Sequence, residues 1–296
     1  IRIMTILYLI KTMRPKDWVK NIFVLSPLIY SQLLDDLSKV VSCLMGFVLF
    51  CLISGCVYII NDIKDVFRDK LHPINSRMPL ASGRISIRSL LIAISVIIPL
   101  SLIFSYKINL LFGLIISFYF IINLFYSIKL KKIIIIDILI ISIGFVLRVL
   151  AGGALVGILP SPWVVISTFF IALFLSCAKR RGIVLLIEKN ILNIDSQRES
   201  IKKYSIKLLD NYLFISGSGA IISYAMYTAS DHAFIKYNTY NLIYTVIFVI
   251  FGIFRYYYLM IIEEVTISPT DLLLTDNQLK INLVLWIITS IFIIGI

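Results

Sequence analysis

Charge is scarce in this chain: only 15% of its 296 residues are Asp, Glu, Lys or Arg, against 60% hydrophobic residues and a mean hydropathy of +0.99. A water-soluble core cannot hide that much apolar surface, which excludes an ordinary soluble domain. Histidine is nearly missing too. His72 and His232 stand alone, which argues against an imidazole metal site or a Ser/His nucleophile, and His72, before Pro73, reads as a loop-shaping residue. The four cysteines, Cys43, Cys51, Cys56 and Cys177, lie in apolar runs with neither metal-ligand spacing nor a redox motif, so they read as packing residues. A Walker loop, a dinucleotide glycine fingerprint, an internal repeat and a Pro- or Ser-rich linker are all absent, and a single helical membrane domain over 1–296 is expected. Residues 1–20 have no small-residue cleavage site and a weak apolar core. They read as an interfacial amphipathic segment, not a signal peptide.

Long apolar runs are what the chain has instead. They fall near Ile22–Leu34, Val40–Ile60, Ile87–Phe104, Leu110–Ile128, Ile133–Val156, Trp163–Ala178, Leu208–Thr228, Tyr240–Leu259 and Ile281–Ile296. The expected fold is all-α, a polytopic membrane bundle of about nine transmembrane helices. The first and last runs are short for a crossing of about 20 residues. The last stops at Ile296 and no initiating Met is present, so the sequence reads as truncated.

The 28 Lys and Arg residues exceed the 16 Asp and Glu residues, for a net charge of +12, and their placement orients the bundle. With a cytoplasmic N-terminus, that side collects the basic residues of 2–20, 64–88, 129–132 and 179–207, while the opposite loops carry only Lys39, Lys107 and Lys236. The positive-inside rule then gives a multi-pass protein of the cell membrane with cytoplasmic polar loops. In a membrane protein such charge serves topology and anionic lipid, so nucleic acid is not expected as a partner. The same loops hold the acidic residues described next, which makes phosphate-rich substrates a second reason for the cations.

Three carboxylates and an amide close the second apolar run, in Asn61-Asp62-Ile63-Lys64-Asp65-Val66-Phe67-Arg68-Asp69. At about 100° per residue, Asn61, Asp62, Asp65 and Asp69 share roughly 100° of one helix face. Such a face repels itself unless a hard cation such as Mg2+ sits against it, shared with substrate phosphates. The alternative is a solvated acidic helix end. Tyr126, Lys129, Lys131 and Lys132 border the membrane just before Asp137, a lone carboxylate in an Ile run that wants a partner or a task. Lys179-Arg180-Arg181 ends the sixth run, where it grips phosphate or stops translocation. Arg148, well inside a spanning run, is expensive unless it faces a polar cavity.

Taken together, these stretches resemble the UbiA superfamily of intramembrane prenyltransferases, whose first signature, Asn-x-x-x-Asp-x-x-x-Asp, is matched by Asn61, Asp65 and Asp69. The decaprenyl-phosphate phosphoribosyltransferase branch is most similar: RPKDWVKN from Arg14, NDIKDVFRDKLHP from Asn61, ASG from Ala81, YSIKLK from Tyr126, GFVLRVLAGG from Gly144, AKRR from Ala178, GIFRYYYL from Gly252 and SPTDLLLTD from Ser268. These run across nearly the whole chain and are specific only as a set. The chain departs from that branch in reading Arg77-Met78-Pro79 before Ala-Ser-Gly and Gly182-Ile183-Val184 after the Lys-Arg pair. It also lacks the second aspartate-rich motif of aromatic-type relatives, since the loop after the sixth run is basic with Asp195 alone.

The resemblance implies an Mg2+-dependent transfer of 5-phosphoribosyl from phosphoribosyl pyrophosphate to a polyprenyl phosphate. Asn61, Asp65 and Asp69 would hold the metal and Asp62 metal-bound water or sugar, with Asp137 facing the cavity. Lys20, Asn61, Tyr126, Lys131, Lys179 and Arg180 would bind substrate. Assembly into identical copies is compatible with this reading. Two alternatives stand beside it: a prenyltransferase using a prenyl diphosphate, and a transporter of phosphorylated solute or lipid whose pathway Asp137 and Arg148 would line.

Overall fold

The computed structural model describes residues 2–71, 75–194 and 197–295, so that His72 and Asp195 lie outside it. Among the described residues every regular element is helical. The chain forms two compact units, Ile1–Pro160 with Asp195–Arg198, and Ser161–Ile194 with Glu199–Ile296.

The first unit carries α1 (Arg2–Thr12), a 3-10 segment Pro15–Val24, α2 (Ser26–Tyr30), α3 (Leu37–Leu71), α4 (Ile87–Ile108), α5 (Leu110–Ile128), a 3-10 turn Leu130–Lys132 and α6 (Ile136–Val156). Two of its helices, α4 and α5, start where short polar side chains satisfy exposed amides: Ser86 accepts from the amide of Ser89, and Asn109 from that of Phe112. Apolar residues face both ways, as a lipid solvent dictates. Phe50, Ile53, Phe112, Ile116, Leu147 and Ala151 are buried in the core, with Phe50 tilted on Tyr119 at 5.2 Å between ring centroids. Leu91, Ile92, Val96, Leu100 and Ile103 of α4 point outward. Met4, Ile6, Leu7 and Ile10 of α1 are exposed as well, the apolar surface expected of an interfacial helix.

The expected first crossing, Ile22–Leu34, is not one helix. The 3-10 segment ends at Val24, α2 lasts five residues, and Gln32 adopts a left-handed φ of 57°. Pro27 is the physical reason, because it supplies no backbone N–H and crowds the carbonyl a turn earlier. The broken segment lies against α6 at Gly152. A Cβ there would fall 2.8 Å from Pro27 Cδ and closer still to the Val24 carbonyl oxygen, so only glycine admits that backbone.

The second unit carries α7 (Pro162–Glu188), α8 (Ile206–Thr228), α9 (Asp231–Tyr237), α10 (Val246–Ile261), α11 (Pro269–Thr275) and α12 (Asn277–Ile294). Buried Arg181 on α7 binds it together: Nε donates to Asp210 Oδ1 of α8 at 2.5 Å and Nη1 to the Met260 carbonyl of α10 at 2.5 Å. Arg255 of α10 pairs with Asp276, the N-cap of α12, at 2.8 Å.

Seven helices among the described residues are long and apolar enough to cross a membrane: α3 to α7, the stretch Asn241–Ile261 that contains α10, and α12. Although α8 has 23 residues, it is not one of them. Lys207, Asp210 and Asn211 in its first turns and Ser216-Gly217-Ser218-Gly219 at its middle dilute its apolar character.

Candidate active site

The last turns of α3 gather the acidic residues as their spacing predicts. Asp62, Asp65 and Asp69 are 4%, 7% and 6% exposed, with Asn61 half-buried beside them. Burying three carboxylates is costly unless each is paired and hydrogen-bonded. Different groups meet that requirement. Arg14, at the left-handed corner that opens the 3-10 segment, reaches Asp62 Oδ1 at 2.5 Å and stacks over the Tyr58 ring at 5.3 Å. Arg68, one turn below Asp65, holds its Oδ2 at 2.6 Å. Asn75 donates to Asp69 Oδ1 at 2.9 Å.

Lys131 makes the most telling contact. Its Nζ lies 2.7 Å from both carboxylate oxygens of Asp65 and 2.9 Å from Asn61 Oδ1, and the residue is 3% exposed. Burial pushes this ammonium down to about 8, against the hydrogen bonds and charge of Asp65, while the like charges of Arg198 and Arg68 lower it further. Lys131 sits in the turn between α5 and α6, where Ile135 adopts φ 70°, an outlier for a β-branched residue. Tyr126, at the end of α5, accepts a hydrogen bond at 2.9 Å from Arg198, whose guanidinium also lies 5.9 Å from its ring centroid.

Asn61, Asp62, Asp65, Asp69 and Lys131 therefore come together, joined by Arg14, Arg68 and Asn75. No local pattern in the sequence tied those three to the carboxylates except the i,i+3 spacing of Asp65 and Arg68. Asn61, Asp65 and Asp69, expected as the metal-holding set, come from successive turns of α3; among the described residues no three Asp, Glu, His or Cys side chains form a group that could hold an ion. Asn61 and Asp65 converge, whereas Asp62 and Asp69 are drawn aside by Arg14 and Asn75.

Other expected residues have different surroundings. Lys20 pairs with Asp17 on the 3-10 segment. Asp137 is fully buried in the first turn of α6. Lys179, exposed, and Arg180, buried, belong to α7 of the second unit.

Arg148 is buried in the core of the first unit. It donates to Asn21 Oδ1 at 2.7 Å, the Gly144 carbonyl at 2.7 Å and the Tyr119 hydroxyl at 2.9 Å, with its guanidinium 4.9 Å from the Tyr119 ring centroid. Asn21 passes the link on to Ser54 Oγ of α3 at 3.1 Å. The cation thus joins α6, α5, the 3-10 segment and α3 through neutral acceptors.

The donor set around Lys131 fits a hard divalent ion. Carboxylate and amide oxygens are the ligands Mg2+ prefers, and three of them already surround one positive charge.

The model of the UbiA prenyltransferase family matches residues 22–184. Decaprenyl-phosphate phosphoribosyltransferase of Mycolicibacterium smegmatis is 29% identical over 226 residues, which cover 75% of this chain and 70% of that protein. Its namesake in Mycobacterium tuberculosis is 28% identical over 226 residues, covering 74% and 72%. A solved UbiA homolog from Archaeoglobus fulgidus, bound to GPP and Mg2+, has the same fold at a TM-score of 0.70, with 98% of this chain and 100% of that one covered at 19% identity. With the family model spanning more than half of the sequence, the chain belongs to the UbiA prenyltransferase family and is an all-helical, multi-pass membrane transferase.

Proposed function

We propose that the protein transfers a 5-phosphoribosyl group from phosphoribosyl pyrophosphate to a polyprenyl phosphate, giving polyprenylphosphoryl 5-phosphoribose and pyrophosphate. One observation carries this reading: oxygens of half-buried Asn61 and buried Asp65 surround a single cation position, with the guanidinium groups of Arg14 and Arg68 beside it. Such an array suits a donor with several phosphate oxygens. The relatives named as decaprenyl-phosphate phosphoribosyltransferases support the same donor and lipid class.

A phosphate oxygen of the acceptor attacks C1 of the ribose. The bond from C1 to the pyrophosphate breaks, and its electron pair leaves with pyrophosphate. Since the attacking oxygen is already ionised, no general base is needed. Asn61 and Asp65 would hold Mg2+, with Asp69 completing the set by turning from Asn75. When bound, the metal neutralises charge growing on the departing pyrophosphate. Lys131, Arg68 and Arg14 bring two anionic substrates together despite their repulsion. Tyr126 and Lys20 position phosphate oxygens, and Asp137 orders the turn that presents Lys131. The excess of basic residues in the loops at this end supports a reaction on the cytoplasmic face of the cell membrane.

Purified protein given labelled phosphoribosyl pyrophosphate and a polyprenyl phosphate should form labelled lipid and release pyrophosphate. Chelator, Asp65→Asn and Asp69→Asn should each abolish most turnover while the protein stays folded in detergent. Label transfer only from a prenyl diphosphate would replace this reading with the other enzyme, and retained activity in both variants would sink the metal assignment.

A further inference from the structure

Resting on the reading just given, we propose that Lys131 is a resident counter-ion that keeps the metal position filled by protein until metal and diphosphate arrive together. The carboxylates Asp62, Asp65 and Asp69 are matched by Arg14, Arg68 and Lys131, so the formal charges of this cluster cancel. A divalent ion entering alone would leave an excess of positive charge in a site nearly closed to water, and would have to displace an ammonium held by three oxygens. A diphosphate entering alone would face the aspartates. Entering together, they bring nearly compensating charge. The displaced Lys131 then exchanges a carboxylate for a phosphate oxygen, keeping a charge-assisted hydrogen bond in both states.

Two features of the fold suit Lys131 to this exchange, whereas Arg14 and Arg68 are anchored. Arg68 is fixed to Asp65 from the same helix, and Arg14 lies over the Tyr58 ring. Lys131 comes from a short turn between α5 and α6, reaching Asp65 across 66 residues of sequence on a flexible stem. It is therefore a positioning residue before the reaction and a phosphate ligand during it.

The consequence is thermodynamic coupling. Metal and pyrophosphate should each strengthen the other's binding by the same factor. Removing the ammonium leaves the cluster with one uncompensated negative charge, so Lys131→Met should bind metal alone more tightly but gain less from pyrophosphate. Opposite unit charges a few ångströms apart in such surroundings are worth more than one tenfold step, so a change of about tenfold is expected.

Mn2+ binding to purified full-length protein in detergent, followed by electron paramagnetic resonance with and without inorganic pyrophosphate, tests this without turnover. The parent should bind Mn2+ weakly alone and about tenfold or more tightly with pyrophosphate. Lys131→Met should bind Mn2+ alone about tenfold more tightly than the parent, with the pyrophosphate effect reduced. Lys131→Arg, which keeps the charge, should behave like the parent and also serves if the Met variant fails to fold, since tight metal-only binding by the Arg variant would overturn the proposal. Metal-only affinity unchanged or weakened in Lys131→Met would overturn the counter-ion role while leaving the metal site standing. No Mn2+ binding by the parent even with pyrophosphate would overturn both.

Discussion

Gly152→Ala tests whether the broken N-terminal segment is held as described. The added methyl would sit 2.8 Å from Pro27 Cδ and closer to the Val24 carbonyl oxygen. Carbon atoms pack at about 3.5 Å or more, so the Pro27 contact alone requires a retreat of about 0.7 Å and the Val24 carbonyl oxygen a larger one. That backbone is wedged between α6 and α3 and tied by Asn21 to Ser54 and Arg148, so it has little freedom to move. Overpacking of this kind costs about 1–3 kcal/mol. For a chain of this size that lowers the melting temperature by about 2 to 12 °C. Gly252→Ala is the internal control. Its nearest neighbour is the Asn282 side-chain amide at 3.3 Å, which has to give by only a few tenths of an ångström while it donates to the Phe248 carbonyl, and alanine in a helix gains about 0.5–1 kcal/mol over glycine. Thermal unfolding in detergent, followed by tryptophan fluorescence, should therefore rank Gly152→Ala below the parent and Gly252→Ala at or above it. A Gly152→Ala protein that melts at or above the parent would refute the close approach.

Three further outcomes follow from the same geometry. Arg148→Met orphans Asn21 Oδ1 and the Tyr119 hydroxyl, at about 1–3 kcal/mol each. Its melting point should fall while turnover per folded molecule stays near the parent's, and a stable but inactive variant would move the guanidinium into the site. Asp137→Asn should do the opposite, losing turnover with little loss of stability, because the amide keeps the size of the buried carboxylate and its capacity to accept hydrogen bonds; equal loss of both would make it structural. Asp276 is held below the usual carboxylate range, chiefly by its hydrogen bond from Arg255. Its stabilisation is present above the unfolded carboxylate value of about 3.9 and is lost as pH falls through the lower folded value. The melting temperature should drop less between pH 5 and pH 3 in Asp276→Asn than in the parent.

The acidic face of α3 was legible because helical spacing is a local property: Asn61, Asp65 and Asp69 recur every four residues. Its partners were not. Arg14 lies 48 residues from Asp62, and nothing in an Arg-Pro corner says which carboxylate it will meet. Lys131 was expected at the site through the resemblance, but its bond to Asp65 spans a loop that periodicity cannot follow. Apolar runs marked most spans well, since lipid as solvent demands little beyond length and hydropathy. They misled at Ile22–Leu34, where composition outweighed the break that Pro27 imposes. The neutral cage of Arg148 was anticipated only as a need for carbonyls or other partners; the phenol of Tyr119 and the amide of Asn21 come from elements far apart in sequence.

The length of α3 has a consequence for where the chemistry takes place. Residues 40–60 carry no charge, and 21 residues of α-helix rise about 32 Å, close to the roughly 30 Å thickness of a hydrocarbon layer. The helix then continues unbroken through Asn61 to Asp69. It acts as a ruler, with its zero near Lys39 and its first acidic mark at the depth where hydrocarbon gives way to headgroups. For the reaction proposed above, a lipid phosphate would already rest at that depth, so the acceptor would not have to be lifted out of the bilayer. It would have only to drift sideways in its own plane, while the water-borne donor descended to meet it.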